Sequence, residues 1–289
     1  MRSGVFLILL SMSLTPFGDA LSKSLGAAIS PFFIVFLRYL TGGIIALVVV
    51  GLSGSQIYVP RRDWISVTLR TAYVMAAMTL LILSLSMIPL ANAVGGFLIA
   101  PVVAILISSI VYGERLTVPR IAGTLVSFLG AALVLRPDAG LNAGMLLALS
   151  GGGFLGMFLA TTGAASQIGN PVSALAVQCI LGSAMLAPFA LPYMQALPRE
   201  TWGPIAGLGV VTAATHFLTV AAYRRAESAQ LAPFFYFNLV AAVIVGMVWF
   251  QEVPGLISIV GLSAIAAGGL ISMLPRDLYA KVTLFRKPV

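Results

Sequence analysis

The chain has 289 residues, of which 60% are hydrophobic and 8% charged, with a mean hydropathy of +1.07. That balance excludes a water-soluble globular domain and predicts an all-α integral membrane protein. The 16 Lys and Arg against 8 Asp and Glu cluster in loops, which argues against a nucleic-acid partner, and one cysteine with one histidine leaves no thiolate metal centre, no intramolecular disulfide and no clustered catalytic set.

Ten apolar runs of about 18 to 23 residues follow one another, each long enough to cross a ~30 Å hydrocarbon core as a helix. They cover residues 4–23, 31–53, 64–86, 89–112, 117–136, 142–163, 171–191, 202–223, 229–250 and 256–274. Pro60-Arg61-Arg62-Asp63, Gly113-Glu114-Arg115 and Pro198-Arg199-Glu200 mark polar breaks between runs. Arg2 and the apolar stretch to Leu14, followed by small residues near Ala20, have the outline of a signal peptide. Against that, Gly4 and Pro31 recur 140 residues later as Gly144 and Pro171, so the first run is expected to belong to the fold. Cys179 sits inside an apolar run, as a packing residue would.

The second half replays the first. Glu114, Ile121, Gly123, Gly130 and Pro137 reappear 138 residues on as Glu252, Ile259, Gly261, Gly268 and Pro275. Five spans per half is an odd number, so the second copy is expected to sit upside down: residues 1–137 form one repeat, 142–275 its inverted partner, and 276–289 a basic tail. With the N-terminus inside, 12 basic residues fall at or near the cytoplasmic face and three, Lys23, Arg136 and Arg199, on the other. Both termini are therefore expected in the cytoplasm, with the tail near anionic lipid heads.

Polar groups inside spans must face protein or water. Asp19 and Arg38 fall in the outer halves of the first two runs, either as an architectural ion pair or as contacts for a charged substrate; Asp19 is also one turn from Lys23, the spacing of a helix-surface pair. Arg70, near the inner end of the third run, is expected to snorkel toward the cytoplasm. Asn92 and Gln230 are equivalent, 138 apart, and Gln230, Phe234 and Asn238 recur at four-residue steps, one face of a helix. Opposite them the fourth run offers Asn92, Gly96 and Ala100, leaving room for a planar ligand, or these amides simply bond neighbouring helices. His216 in the eighth run either packs or couples transport to protons. Tyr73 and Tyr236 add amphipathic contacts, whereas Glu114 and Glu252 suit helix ends. Pro101 and Pro233 are expected to break the fourth and ninth runs, while Gly152 and Gly156 form a small-xxx-small pair that serves either close packing or a cavity wall.

Leu90-Ala91-Asn92-Ala93, Pro101 and Gly113-Glu114 resemble the fourth helix of the drug/metabolite transporter superfamily with paired EamA-type repeats. Ile121-Ala122-Gly123, Phe128-Leu129-Gly130 and Arg136-Pro137 are similar to its fifth, and Asp19-Ala20-Leu21-Ser22-Lys23 with Leu37-Arg38-Tyr39 to its first and second. The second repeat departs from the pattern, with Gln251 in place of a glycine and Gln178 opposite Arg38. The resemblance implies a ten-helix secondary carrier of a bacterial inner membrane. Such a carrier moves a small polar metabolite, amino-acid-like, riboflavin-like or S-adenosylmethionine-like, by alternating access through a cavity lined by helices 1, 3, 4, 6, 8 and 9. It implies a small-molecule substrate, lipid contact, no cofactor and no enzymatic activity; the substrate contacts to test are Asp19, Arg38, Tyr73, Asn92, His216, Gln230, Phe234, Tyr236 and Asn238. A lipid flippase or membrane scaffold is the alternative for the same fold, and nothing in the sequence forms a channel's selectivity filter.

Overall fold

Backbone amides in hydrocarbon have no water to bond, so so apolar a chain must close its hydrogen bonds within helices. The computed structural model does this throughout the residues it describes, 2–88, 90–113, 116–135, 142–165, 171–251, 255–272 and 274. The helices are α1 (Arg2–Leu25), α2 (Pro31–Ser53), α3 (Trp64–Leu85), α4 (Leu90–Phe97), α5 (Ala100–Tyr112), α6 (Val118–Leu135), α7 (Ala143–Ala165), α8 (Pro171–Ala190), α9 (Trp202–Tyr223), α10 (Ser228–Leu231), α11 (Phe237–Phe250) and α12 (Leu256–Ser272). Among the described residues eight helical segments are long and apolar enough to cross a membrane; Val118–Leu133 and Ile259–Ser272 are apolar but shorter. Leu52, Ile65 and Ile110, each at least 80% exposed, turn outward as a lipid-facing surface requires, while Ile8, Tyr39, Leu81, Leu159 and Tyr236 fill the interior.

The fourth and ninth apolar runs are interrupted at their prolines. Pro101 has no N–H to give the Phe97 carbonyl, so the chain turns at Leu98 and Ile99 between α4 and α5. Pro233 likewise converts Ala232–Tyr236 into a 3-10 segment between α10 and α11. Gly152 and Gly156 on α7 close over the first break: an added Cβ would lie 2.5 Å from the Phe97 carbonyl at Gly152 and 2.8 Å from that of Ala100 at Gly156. The small-xxx-small pair therefore serves close packing. Gly113 ends α5 in the left-handed conformation, φ +65°, and its counterpart Gln251 ends α11 at φ 60° without glycine's freedom. Glu114 and Glu252, the adjoining pair, lie outside the described residues, as do Arg136, Pro137, Pro275 and the 276–289 tail.

Packing follows the duplication. The first helix of each half lies on the third of the other, α1 on α9 and α7 on α3; α2 packs on α8 and α6 on α12. At the α6–α12 seam Gly123 meets Gly268 and Gly130 meets Gly261, each close enough that an added Cβ would lie 2.5–2.6 Å from the opposing carbonyl oxygen. Pairing 123 with 268 and 130 with 261 makes the two helices antiparallel. Ser127 Oγ donates to the Ile265 carbonyl at 3.2 Å, and those two positions are themselves 138 apart. Each half thus meets its own equivalent there. At one end of the bundle Gln195 Nε2 donates to the Ala28 carbonyl at 2.6 Å; at the other, Tyr58 N–H donates to Ser173 Oγ at 3.1 Å and Arg120 Nη1 to Glu227 Oε2 at 2.8 Å.

Candidate functional site

α1, α2 and α9 bring Asp19 and Arg38 together in a dry interior. Arg38 Nη1 donates to Asp19 Oδ1 at 3.1 Å, and Arg38 Nε donates to Thr212 Oγ1, also at 3.1 Å. Thr212 passes its own proton back to the Leu208 carbonyl at 2.7 Å, so its hydroxyl is free to accept. Gly18 lies at this crossing, where an added Cβ would press on the Val211 side chain at 3.1 Å and stand in ordinary contact with Arg38 Nη2 at 3.5 Å. The grip is one-sided: Asp19 Oδ2 is buried without a partner. Lys23 does not complete it, its Nζ standing 5.2 Å from the ring centroid of Phe250.

One turn further along α9, His216 is held from both sides. Gln178 Nε2 on α8 lies 3.1 Å from Nδ1, and Tyr39 Oη on α2 lies 3.3 Å from Nε2. With the amide donating to Nδ1, the imidazole is neutral and its Nε2–H points to the phenol. Phe158 on α7 meets the imidazole edge-on at 6.3 Å between centroids, and the Arg70 guanidinium stands 5.8 Å from the same phenyl ring.

Arg70 is a correction to the sequence reading. It does not snorkel; it shares the inward face of α3 with Val67, Thr71 and Val74, is 3% exposed, and its Nε has no partner. Among the described residues the ion pairs are Asp19–Arg38, Arg62–Asp63 and Arg120–Glu227, none of which reaches it. Burying an unpaired ion costs several kcal/mol, while a cation–π contact returns roughly 0.5–2 kcal/mol. Arg70 is held there at a net cost.

These side chains form a polar column from Asp19 to Arg70, built by three helices of each half: α1, α2 and α3 from the first, α7, α8 and α9 from the second. α2 and α8, which the family resemblance leaves out of the cavity wall, supply Arg38, Tyr39 and Gln178. A second group surrounds the Pro233 break. Tyr236 and Asn238 are buried, with Tyr236 Oη and Asn238 Oδ1 unpartnered, and Phe234 packs toward Gly269 on α12. The expected face of Gln230, Phe234 and Asn238 is crossed by the 3-10 segment Ala232–Tyr236, which turns ~120° per residue instead of the ~100° of an α-helix. Tyr73, Asn92 and Gln230 are half-buried, on α3, α4 and α10, and take no part in the hydrogen bonds of the column.

Tyr39, Thr212 and Phe158 escaped the sequence reading as members of the site, and Arg70 was read as pointing away from it. One signal was available for the first two: Thr212, His216 and Thr219 step by four and three along α9, and Tyr39 adjoins Arg38. That stripe continues the polar contact toward α1, where Ser11 Oγ lies 3.0 Å from Thr219 Oγ1. Among the described residues no group of His, Cys, Asp and Glu is arranged to hold a metal ion.

Helical spans around a polar interior shared by two related halves define a multi-pass membrane protein with the architecture of a transporter. The EamA-like transporter family model matches residues 2–136 and again 142–274, and the chain belongs to that family, within the drug/metabolite transporter superfamily. A search among curated proteins returns no match. A solved structure described only as "Crystal structure of protein" is similar in fold, with a TM-score of 0.80 at 18% identity over 96% of this chain and 99% of that one.

Proposed function

We propose that the protein is a secondary carrier that moves a small polar metabolite across a bacterial inner membrane by alternating access. The observation that carries this reading is the polar column: buried Asp19, Arg38, Gln178 and Arg70, with half-buried His216 among them, lie where the two halves meet, at a desolvation cost. The antiparallel α6–α12 seam supports two inverted five-helix repeats, 1–137 and 142–275, and hence ten passes, with the shorter helices α6 and α12 as the fifth and tenth. The distribution of basic residues supports cytoplasmic termini and a cytoplasmic tail over 276–289.

In this reading the Asp19–Arg38 pair and the Tyr236–Asn238 break form polar subsites for an amino-acid-like, riboflavin-like or S-adenosylmethionine-like solute, with Phe234 packing against it. Tyr73, Asn92 and Gln230 line the path beside them. His216, bonded at both ring nitrogens, takes up a proton at Nδ1 only if the Gln178 amide turns over from donating to accepting, which ties proton coupling to a side-chain rearrangement.

Uptake of a pooled metabolite panel into proteoliposomes, scored by mass spectrometry against empty liposomes with and without a pH gradient, tests the proposal. Saturable, protein-dependent uptake of one compound is expected. Absence of uptake by folded protein, together with translocation of a labelled phospholipid, would replace the carrier with a lipid flippase; absence of both would leave a scaffold.

A further inference from the structure

Arg70 lines a cleft that the rest of the polar column does not explain. Its other walls are Tyr58 and Val59 from the segment joining α2 to α3, Val67 one turn earlier on α3, and Ser173, Ala174 and Val177 from the start of α8; the space they leave is about 20 Å³, room for one water-sized group, so a carboxylate or phosphate enters as these walls part. The Tyr58 N–H bond to Ser173 Oγ pins that segment across the two halves as a roof. Three features converge on the cleft. The guanidinium is almost wholly buried with an unpartnered Nε, no carboxylate of the described residues pairs with it, and the first turn of a 20-residue helix brings the positive end of its dipole to the same wall. The other two buried cations are already neutralised, Arg38 by Asp19 and Arg120 by Glu227.

We infer that Arg70, with Ser173 at the start of α8, binds the oxyanion, carboxylate or phosphate, of the transported solute. This rests on the carrier reading and narrows it: the solute is an anion or zwitterion, and its acidic group neutralises the buried Arg70 charge. Fixed charge, helix dipole and hydroxyl donor together favour a planar or tetrahedral oxyanion over an isosteric amide. Phe158, touching both Arg70 and His216, joins this subsite to the imidazole hub.

The test is calorimetric titration of the purified full-length protein with acetate, benzoate and inorganic phosphate, with benzamide as the uncharged match for benzoate. At least one anion is expected to bind, benzamide to bind roughly tenfold more weakly or worse, Arg70→Gln to abolish the anion binding, and Arg70→Lys to restore part of it. Binding of none of the three anions, or equal binding by Arg70→Gln, overturns the inference. If Arg70→Gln does not fold, the wild-type preference still decides, since benzamide bound as tightly as benzoate means no oxyanion site.

A parallel titration with phosphatidylglycerol separates the sources of the anion: Arg70-dependent lipid binding without binding of the free anions makes this a headgroup site and overturns the solute assignment. Arg70-dependent anion binding in a protein that transports no carboxylate or phosphate compound would uphold the site and remove the carrier reading, so the two failures are distinct.

Discussion

The Asp19–Arg38 pair has opposing demands built into it. Its second-half equivalents at an offset of 140, Leu159 and Gln178, are neutral, so the fold can build this corner without an ion pair. Asp19→Ala should therefore destabilise the detergent-solubilised protein by about 3–5 kcal/mol, because it leaves Arg38 buried and alone, whereas the joint change Asp19→Leu with Arg38→Met should cost little or even stabilise. Thermal unfolding of the three proteins checks this. Transport by the double variant then assigns the role: a stable protein that no longer transports places substrate at the pair, while a stable and active one makes the pair architectural. Asp19, Arg38 and His216 were legible in the sequence because ionisable residues stand out in an apolar run. Tyr39, Thr212 and Phe158 were not, since an aromatic or a hydroxyl in a membrane helix has the same signature whether it faces lipid, a neighbour or a site. Arg70 was visible but misread, because snorkelling and burial differ only in which face of α3 turns inward, and that is decided by α7 and α8.

Among the helices, glycines with the same sequence appearance have different roles. Gly123 faces backbone: an added Cβ would meet the Gly268 carbonyl at 2.5 Å and Ser272 Cβ at 2.8 Å, so Gly123→Val must force α6 and α12 apart, with an expected loss of about 1–3 kcal/mol. Gly153, within the Gly151–Gly153 run, has nothing within 4 Å, and Gly153→Ala should be neutral or gain up to roughly 1 kcal/mol from helix propensity. Melting temperatures of the two variants, compared with wild type, test the contrast. The Gly152–Gly156 spacing marks α7 in the sequence, yet which of its glycines is clamped depends on where the Pro101 break leaves the Phe97 carbonyl. The prolines were equally legible as interruptions. Their outcome was not, because a missing N–H opens a turn between α4 and α5 but tightens the chain between α10 and α11 into a 3-10 segment, and the surrounding packing chooses between them.

At the scale of the molecule, the proposed inverted repeat and the distribution of basic residues predict a definite orientation. Once Cys179→Ser removes the native thiol, a cysteine introduced at Met194 should react with a membrane-impermeant maleimide in intact cells, and one at Ile57 only after permeabilisation; both side chains are exposed. Labelling in the reverse order would invert the topology and place the Arg70 cleft on the outer face. The pairing of Glu, Gly and Pro at one fixed offset made the duplication readable without coordinates, whereas the sequence carried no sign that the halves interlock first helix to third. The glycine seam also bears on origins. Because Gly123 and Gly130 of one half fit Gly268 and Gly261 of the other, with Ser127 meeting its own counterpart, the surface is complementary to a rotated copy of itself. A single five-helix ancestor would have needed only one such surface to assemble as a two-fold, antiparallel homodimer, and gene fusion would then have freed the two copies to diverge, leaving Arg38 in one and Gln178 in the other.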